Sequence, residues 1–159
     1  MRRLSAFRLR RFLTVTEREQ IAAALAEAGR HTRARIGLSI DERTATDPQA
    51  RARVLFKEWQ LPDGERPTAA LVYVSAPSRS YAIVGGEEVE RLAPRTFWEL
   101  VDRDLHHHFE EGRYCDGIFK AIAQVAIQLE RHFPRAPEVD GGRNPDRSRG
   151  RQVEPGDDP

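Results

Sequence analysis

Apolar and polar positions recur along the chain with periods that predict a series of helices and strands. Thr16, followed three residues later by Glu19, is typical of a helix capping box. Ile21, Leu25 and Ala28 continue at helical spacing, so we predict a first helix that ends near the following glycine.

The next segments favour strands around one further helix. Residues 34–41 alternate between apolar and polar side chains, as expected of a half-buried strand. Asp47 and Pro48 supply a helix N-cap and a first-turn proline. Residues 68–75 are apolar on both faces, which predicts a short central strand covered from both sides. Residues 80–84 follow a Pro-Ser turn and are expected to be its hairpin partner.

The remaining pattern is helical. We predict a short helix over 87–92, a helix opened by Pro94, and a last helix over about 116–133. The last helix carries one apolar stripe, formed by Ile118, Ile122, Val125 and Leu129. Five aromatic residues are expected to pack in the core: Trp59, Phe97, Trp98, Phe109 and Phe119. This alternation of helices and strands predicts an α/β fold.

Composition narrows the functional classes. A chain of 159 residues is long enough for one domain with a real core, and 39% apolar with 32% charged residues is ordinary for a soluble protein. A net charge of +1 gives no overall field to attract nucleic acid, so none is expected as a partner. The single Cys115 excludes an internal disulfide and a cysteine-based zinc site. With no apolar run of about 20 residues, we expect a cytoplasmic protein.

Both ends differ from the middle of the chain. Residues 1–13 hold five arginines among apolar residues. This segment is predicted either to contact an anionic membrane peripherally or to fold back on its own domain. Residues 14–133 form the predicted domain. Residues 134–159 contain no aromatic residue, leucine or isoleucine, so we expect a disordered tail.

Three short segments with glycines follow one another in the second half of the chain: Tyr81-Ala-Ile-Val-Gly-Gly86, Phe109-Glu-Glu-Gly112 and Asp116-Gly-Ile118. In this order and spacing they resemble the TPM domain family, also called the TPM phosphatase domain. The turn glycines of this motif are Gly85, Gly86, Gly112 and Gly117. The resemblance implies a central mixed β-sheet sandwiched between helices. Within the family, this chain resembles the short branch without a signal peptide or membrane anchor. It also implies either a weak phosphohydrolase or a member without known activity.

The resemblance further implies acidic side chains near the loop before the central strand and near the turn after the hairpin. By position these are Asp63, Glu65, Glu87, Glu88 and Asp116, and Asp41 is a further oxygen donor. Carboxylates of this kind suit Ca²⁺ or Mg²⁺. Typical members carry a polar pair such as Asn-Gly before the central strand, where this chain has Arg66-Pro-Thr-Ala69.

Two further motifs invite a chemical interpretation. Consecutive helical residues point about 100° apart, so the histidines of 106–108 cannot converge on one ion. We expect one to face the core and two to face solvent. Cys115 lies near a predicted helix N-terminus, where the dipole lowers a thiol pKa, but a small packing residue is the favoured interpretation.

Three functional classes follow. We favour a non-catalytic protein-interaction module acting near membrane complexes, because the polar pair is replaced and no nucleophile–base set is visible. The first alternative is a divalent-metal-dependent phosphatase or nucleotide phosphohydrolase that uses the loop carboxylates. The second is a Ca²⁺- or Mg²⁺-binding module without turnover.

Overall fold

The computed structural model describes residues 12–136. Within this range the chain forms five α-helices, a 3₁₀ helix and three strands, in the predicted order. They are α1 (Val15–His31), β1 (Ile36–Asp41), α2 (Pro48–Glu58), the 3₁₀ helix (Arg66–Thr68), β2 (Ala70–Ser75), β3 (Ser80–Gly85), α3 (Glu87–Leu92), α4 (Arg95–Glu110) and α5 (Tyr114–His132).

The three strands form one mixed sheet with the order β1-β2-β3. β1 runs parallel to β2, with Ile36 opposite Ala70. β2 and β3 form an antiparallel hairpin in which Ala70 lies opposite Gly85. All residues of β2 are buried, which confirms the prediction of a central strand covered on both sides.

Each face of the sheet is covered by helices, so the mixed sheet between helical layers is confirmed. On one face, Leu71 and Tyr73 pack with Ala52 and Phe56 of α2. On the opposite face, the side chains of β2 pack with α1, α4 and α5; the buried residues of that core include Ile21, Val72, Val74, Val101, Leu105, Ile118 and Ile122. The predicted stripe of α5 is buried throughout.

Local polar contacts explain where the first two helices begin. Asp47 caps α2 by accepting the N–H of Ala50 at 3.0 Å, as predicted. The predicted capping box of α1 is wrong by two residues. Thr14 Oγ1 accepts the N–H of Glu17 at 3.1 Å, and Glu17 Oε1 accepts the N–H of Thr14 at 3.1 Å. Both Thr-x-x-Glu pairs fit the pattern, and in the structure the helix begins after the earlier threonine, next to the buried Leu13.

An aromatic cluster closes the end of the sheet at the β2–β3 turn. The ring centroid of Tyr114 lies 4.8 Å from the ring centroid of Phe12 and 5.1 Å from that of Phe109. The ring of Tyr81 lies 5.2 Å from that of Phe109. The guanidinium of Arg79 covers Phe12 at 4.7 Å and Tyr114 at 4.8 Å. The start of α5 is therefore held beside the hairpin turn.

Most residues of the two predicted terminal segments, 1–13 and 134–159, lie outside the described range. Phe12 and Leu13 are buried in the domain core, while residues 1–11 lie outside the described range. Pro134 pairs with Thr32, and the N–H of Arg135 donates to the carbonyl of His31 at 3.1 Å. Residues 137–159 of the predicted tail also lie outside the described range.

We predict that Gly86→Ala lowers the free energy of unfolding by about 3 kcal/mol. A Cβ at this position would lie 2.1 Å from the carbonyl oxygen of Arg66 and 2.5 Å from that of Pro67, so backbone must move. Urea unfolding measures the effect. Gly29→Ala in α1 is the matched control, because its Cβ meets nothing within 4 Å. The control should be neutral or stabilising by up to about 1 kcal/mol, and equal losses in both variants would contradict the prediction.

Candidate functional site

Four of the predicted ligand carboxylates lie at one end of the sheet. Asp63 and Glu65 belong to the loop before β2, and Glu87 and Glu88 form the first turn of α3. The two segments meet at Gly86, whose N–H donates to the carbonyl of Ala69 at 2.8 Å. The sequence expectation that acidic residues flank these two turns is therefore matched by their position in the fold.

Two of these carboxylates are engaged by arginine. Glu65 Oε2 accepts from Arg35 Nε at 2.8 Å. Glu88 Oε2 accepts from Arg91 at 2.6 Å, and this hydrogen bond together with the arginine charge lowers the pKa of Glu88. Both pairs are on the surface, where such contacts contribute little stability.

Asp116 lies at the opposite end of the sheet. It is in the first turn of α5, beside the aromatic cluster at the β2–β3 turn, and it accepts from Arg113 at 3.0 Å. A strand of six residues, such as β2, separates the two ends by about 17 Å. Asp116 is thus not brought together with the other four carboxylates.

Residues 12–136 contain no group of three or more His, Cys, Asp or Glu side chains arranged to hold a metal ion. Ca²⁺ binds about six to eight oxygen ligands, several of them from carboxylates, and the carboxylates in this range are not gathered in that way. The assignment of these five carboxylates as ligands stays a prediction.

The motif glycines have packing roles in the fold, and two of them do not lie in turns as predicted, because Gly85 ends β3 and Gly117 lies inside α5. The backbones of Gly85 and Gly117 lie against Val89 and His108, since an added Cβ would come within 2.9 Å of either side chain. Gly112 has φ +73° and ends α4, where a residue with a Cβ would be strained.

The best-organised polar cluster is at the carboxyl ends of the parallel strands. Asp41 Oδ1 accepts the N–H of Arg43 at 3.0 Å. Its Oδ2 accepts from the hydroxyl of Tyr73 at 2.8 Å and from Arg51 Nε at 3.2 Å. Ser75 Oγ, which is fully buried, donates to the carbonyl of Arg43 at 2.7 Å. Sequence reasoning included Asp41 only as an oxygen donor and missed its partners, because 32 residues separate it from Tyr73.

Protonation in this cluster is set by opposing effects. Burial raises the pKa of Asp41, but hydrogen bonds from Arg43, Tyr73 and Arg51 outweigh it, so the net pKa is lowered. Burial and the neighbouring carboxylate raise the pKa of Tyr73 to about 12. At neutral pH the cluster is an ionised carboxylate, a neutral phenol and a guanidinium, and every one of them has a partner. It ties the loop after β1 to the sheet.

Cys115 and the histidines do not supply a reactive pair. Burial, followed by a hydrogen bond with Glu17, raises the pKa of Cys115 to about 11. The residue packs against the core, which agrees with the favoured prediction of a small packing residue and not with a reactive thiol. His106 and His107 are exposed and pair with Glu110 and Glu111 one turn later.

The third histidine, His108, is half-buried and hydrogen-bonds the carbonyl of Asp104 at 2.7 Å. One histidine therefore faces inward and two face solvent, as predicted.

The outer face of α5 carries an exposed apolar stripe that the sequence interpretation missed. Phe119, predicted to be in the core, has 46% of its surface exposed, and Ile127 has 65%. Ala123 between them is also exposed. These residues are spaced i, i+4 and i+8, so they share one face, about 100° from the buried stripe that begins at Ile118. The exposure of Phe119 could have been predicted from the sequence, because Phe119 directly follows Ile118 of the buried stripe and therefore points about 100° away from it.

Fold and site together define a small α/β domain in which a mixed sheet lies between helical layers and motif glycines allow close backbone contacts. The sequence model of the TPM domain matches residues 8–128. The chain therefore belongs to the TPM domain family. No curated protein matches it.

Solved structures share the fold. The BA42 protein from the psychrophilic bacterium Bizionia argentinensis superposes with a TM-score of 0.70 at 21% identity, covering 79% of this chain and 87% of that one. The N-terminal domain of a P. gingivalis protein gives 0.59 at 17% identity, covering 77% and 79%. The N-terminal domain of the cg2496 protein from Corynebacterium glutamicum gives 0.56 at 12% identity, covering 74% of each chain. At these identities the likeness shows the fold alone.

We predict that Tyr73→Phe costs about 1 kcal/mol of unfolding free energy at pH 7 and less at acid pH. The folded-state pKa of Asp41 is lowered, so its stabilisation is present above the unfolded pKa of about 3.9 and is lost as pH falls through the folded value. A neutral Asp41 then binds the phenol more weakly. Urea unfolding at pH 7 and in strong acid measures both losses.

Thr32→Val is the control for the pH dependence, because the buried hydroxyl of Thr32 donates to the backbone carbonyl of Phe133 at 2.6 Å, and that carbonyl does not titrate. Its cost should be similar at both pH values. A Tyr73→Phe loss that is equal at the two pH values would contradict the charge-assisted role of Asp41.

Proposed function

We propose that this TPM-domain protein is a non-catalytic protein-interaction module that acts near membrane complexes. The observation that carries the proposal is the apolar stripe of α5, formed by Phe119, Ala123 and Ile127. Contiguous exposed apolar surface with a polar rim is typical of interaction sites. Lys120 and Glu130 are exposed on the same helix and supply charged neighbours.

The spacing of the stripe favours a helical partner. Side chains at i, i+4 and i+8 form a ridge along one face of a helix. An amphipathic helix of another protein covers such a ridge with its own apolar face. The opposite face of α5 is anchored in the core by residues such as Ile122 and Val125, so the stripe is presented on a rigid element.

The chemistry of the polar residues supports binding rather than turnover. Glu65, Glu88 and Asp116 are each paired with an arginine. The raised pKa of Cys115 keeps its thiol protonated at neutral pH. Asp41 is saturated by partners from its own chain.

The membrane part of the proposal rests on the sequence. Residues 1–13 carry five arginines, and such a segment is attracted to anionic lipid headgroups. Contact of this kind is peripheral and would bring the module close to membrane complexes. In the part of the chain from residue 12 to 136, no helix has the length and apolar character needed to cross a bilayer.

We predict that a Phe119→Gln, Ile127→Gln double variant loses the protein partner. The immobilised full chain is exposed to a detergent extract of membranes from its source organism, and the retained proteins are quantified by mass spectrometry. The partner should drop about tenfold or more, because two central apolar contacts are removed. Folding should be preserved within about 0.5 kcal/mol, since both residues are exposed.

The matched control replaces two equally exposed apolar residues on other helices, Val15 and Val54, which are 57% and 44% exposed. A Val15→Gln, Val54→Gln variant should retain the partner. Loss of the partner with both double variants, or with neither, would argue against α5 as the recognition surface. Failure of the wild-type chain to retain any specific protein would remove the interaction function itself.

One observation supports the two alternatives, a metal-dependent phosphohydrolase and a metal-binding module: the loop that carries Glu65 and the turn that carries Glu87 meet at Gly86. An amide NMR titration with Ca²⁺ and Mg²⁺, followed by ATP, tests them on the full chain. We predict no saturable shifts at residues 63–65, 85–88 or 115–117 at millimolar ion. Saturable shifts confined to these segments would instead establish a metal pocket, and loss of those shifts in Glu65→Gln and Glu87→Gln would identify its ligands.

A further inference from the structure

β1 is an edge of the sheet whose outer side has no backbone partner among the described residues. The carbonyl of Arg35 accepts from the N–H of Ala70, and the carbonyl of Asp41 accepts from the N–H of Ala76. In a parallel ladder this places the odd-numbered residues of β1 toward β2. The N–H and C=O groups of Ile36, Leu38 and Ile40 therefore point outward.

The edge lacks the features that usually prevent a strand from pairing with another chain. Natural edge strands carry lysine, proline, bulges or inward-pointing charges. The segment Ile36-Gly-Leu-Ser-Ile40 has no charge and no proline, and it pairs with β2 in unbroken register. The opposite edge of the sheet differs, since a cavity beside β3 is lined by the carboxylates of Glu90 and Asp102. Two copies meeting at β3 would bring like charges together.

Open grooves lined mostly by apolar residues flank β1 on both faces. On the α1 face, a cavity of about 290 Å³ is lined by Ile21, Leu25, Leu38 and Ile40, with Arg18 as its charged residue. On the α2 face, a cavity of about 380 Å³ is lined by residues that include Leu55, Trp59 and Leu71, with Glu58 as its charged residue. A two-stranded pairing alone is marginal in water. These grooves supply apolar surface that an added strand and its attached helices would bury.

The strand is self-complementary about Leu38. If a second copy lies antiparallel with Leu38 opposite its counterpart, Ile36 lies opposite Ile40 of the second copy. The outward N–H and C=O groups of these residues then face each other in hydrogen-bonded pairs. At both ends of the paired strands, Arg35 lies opposite Asp41 of the second copy, so the pairing brings no like charges together. Within its own chain Arg35 pairs with Glu65, and Asp41 pairs with Arg51. The two-fold axis is perpendicular to the sheet, so each face of one copy continues into the same face of the other. The side chains of Ile36, Leu38 and Ile40 therefore lie on the α1 face in both copies.

We propose that two copies of this chain associate through β1, antiparallel and centred on Leu38, so that two three-stranded sheets become one continuous sheet. The α1 helices of the two copies then lie on one face and the α2 helices on the other. This association uses neither the α5 stripe nor the carboxylate loops. It therefore does not depend on the protein-interaction function proposed above.

Sedimentation equilibrium of the full chain from micromolar to submillimolar concentration tests the proposal. Ser39 and Ser39 of the second copy are diagonal neighbours on the α2 face in this register, so like charges there repel. Ser39→Lys and Ser39→Glu should each raise the dimer dissociation constant about tenfold or more, and an equimolar mixture of the two should recover much of the loss. Thr44→Lys and Thr44→Glu, in the exposed loop after β1, are the charge-matched controls and should behave as wild type.

A disulfide experiment tests the register even if a charge at Ser39 lowers stability. On a Cys115→Ser background, Leu38→Cys faces its own counterpart across the two-fold axis and should form a cross-linked dimer on oxidation. Ile40→Cys faces Ile36 instead and should not. A wild-type chain that is monomeric at every concentration, a dimer indifferent to both charges at Ser39, or equal cross-linking at Leu38 and Ile40 would overturn the proposal.

Discussion

The burial of β2 is the constraint on which the rest of the domain depends. It is the only strand of the described sheet with a neighbour on each side, and each of the three apolar clusters contains one of its residues or the residue just before it. A strand buried on both faces and both edges leaves its backbone no access to water, so its hydrogen bonds must come from β1 and β3. The helices pack around β2 and cover both of its faces.

The sequence was sufficient to predict the order of the elements and the class of fold, because apolar periodicity reports which side of each element is buried. It was less informative where two equivalent local patterns overlap. Thr14 and Thr16 each begin a Thr-x-x-Glu pair, so the local pattern does not distinguish them, and the structure uses Thr14. Phe119 was predicted to be in the core because it is aromatic, but its position next to the buried stripe puts it on the exposed side of α5.

The site could be predicted only in part because its contacts join distant parts of the chain. Of the motif glycines, Gly112 does lie in a turn with φ +73°, and the loops carrying Glu65 and Glu87 do meet at Gly86. The arginines that pair with the carboxylates were not foreseen, although Arg91 and Arg113 lie only three residues from their partners. In a chain with so many arginines, a surface carboxylate is rarely far from a guanidinium, and this favours ion pairs over shared ligands.

The position of Trp59 gives the molecule an internal optical probe. Its indole ring lies over Gly37, so close that a Cβ there would come within 2.8 Å of the ring. The chain has only one other tryptophan, Trp98, which belongs to α4. Indole emission shifts to shorter wavelength when water is excluded from the ring, so a Trp98→Phe chain would report by fluorescence alone whether the outer side of the sheet is wet or covered.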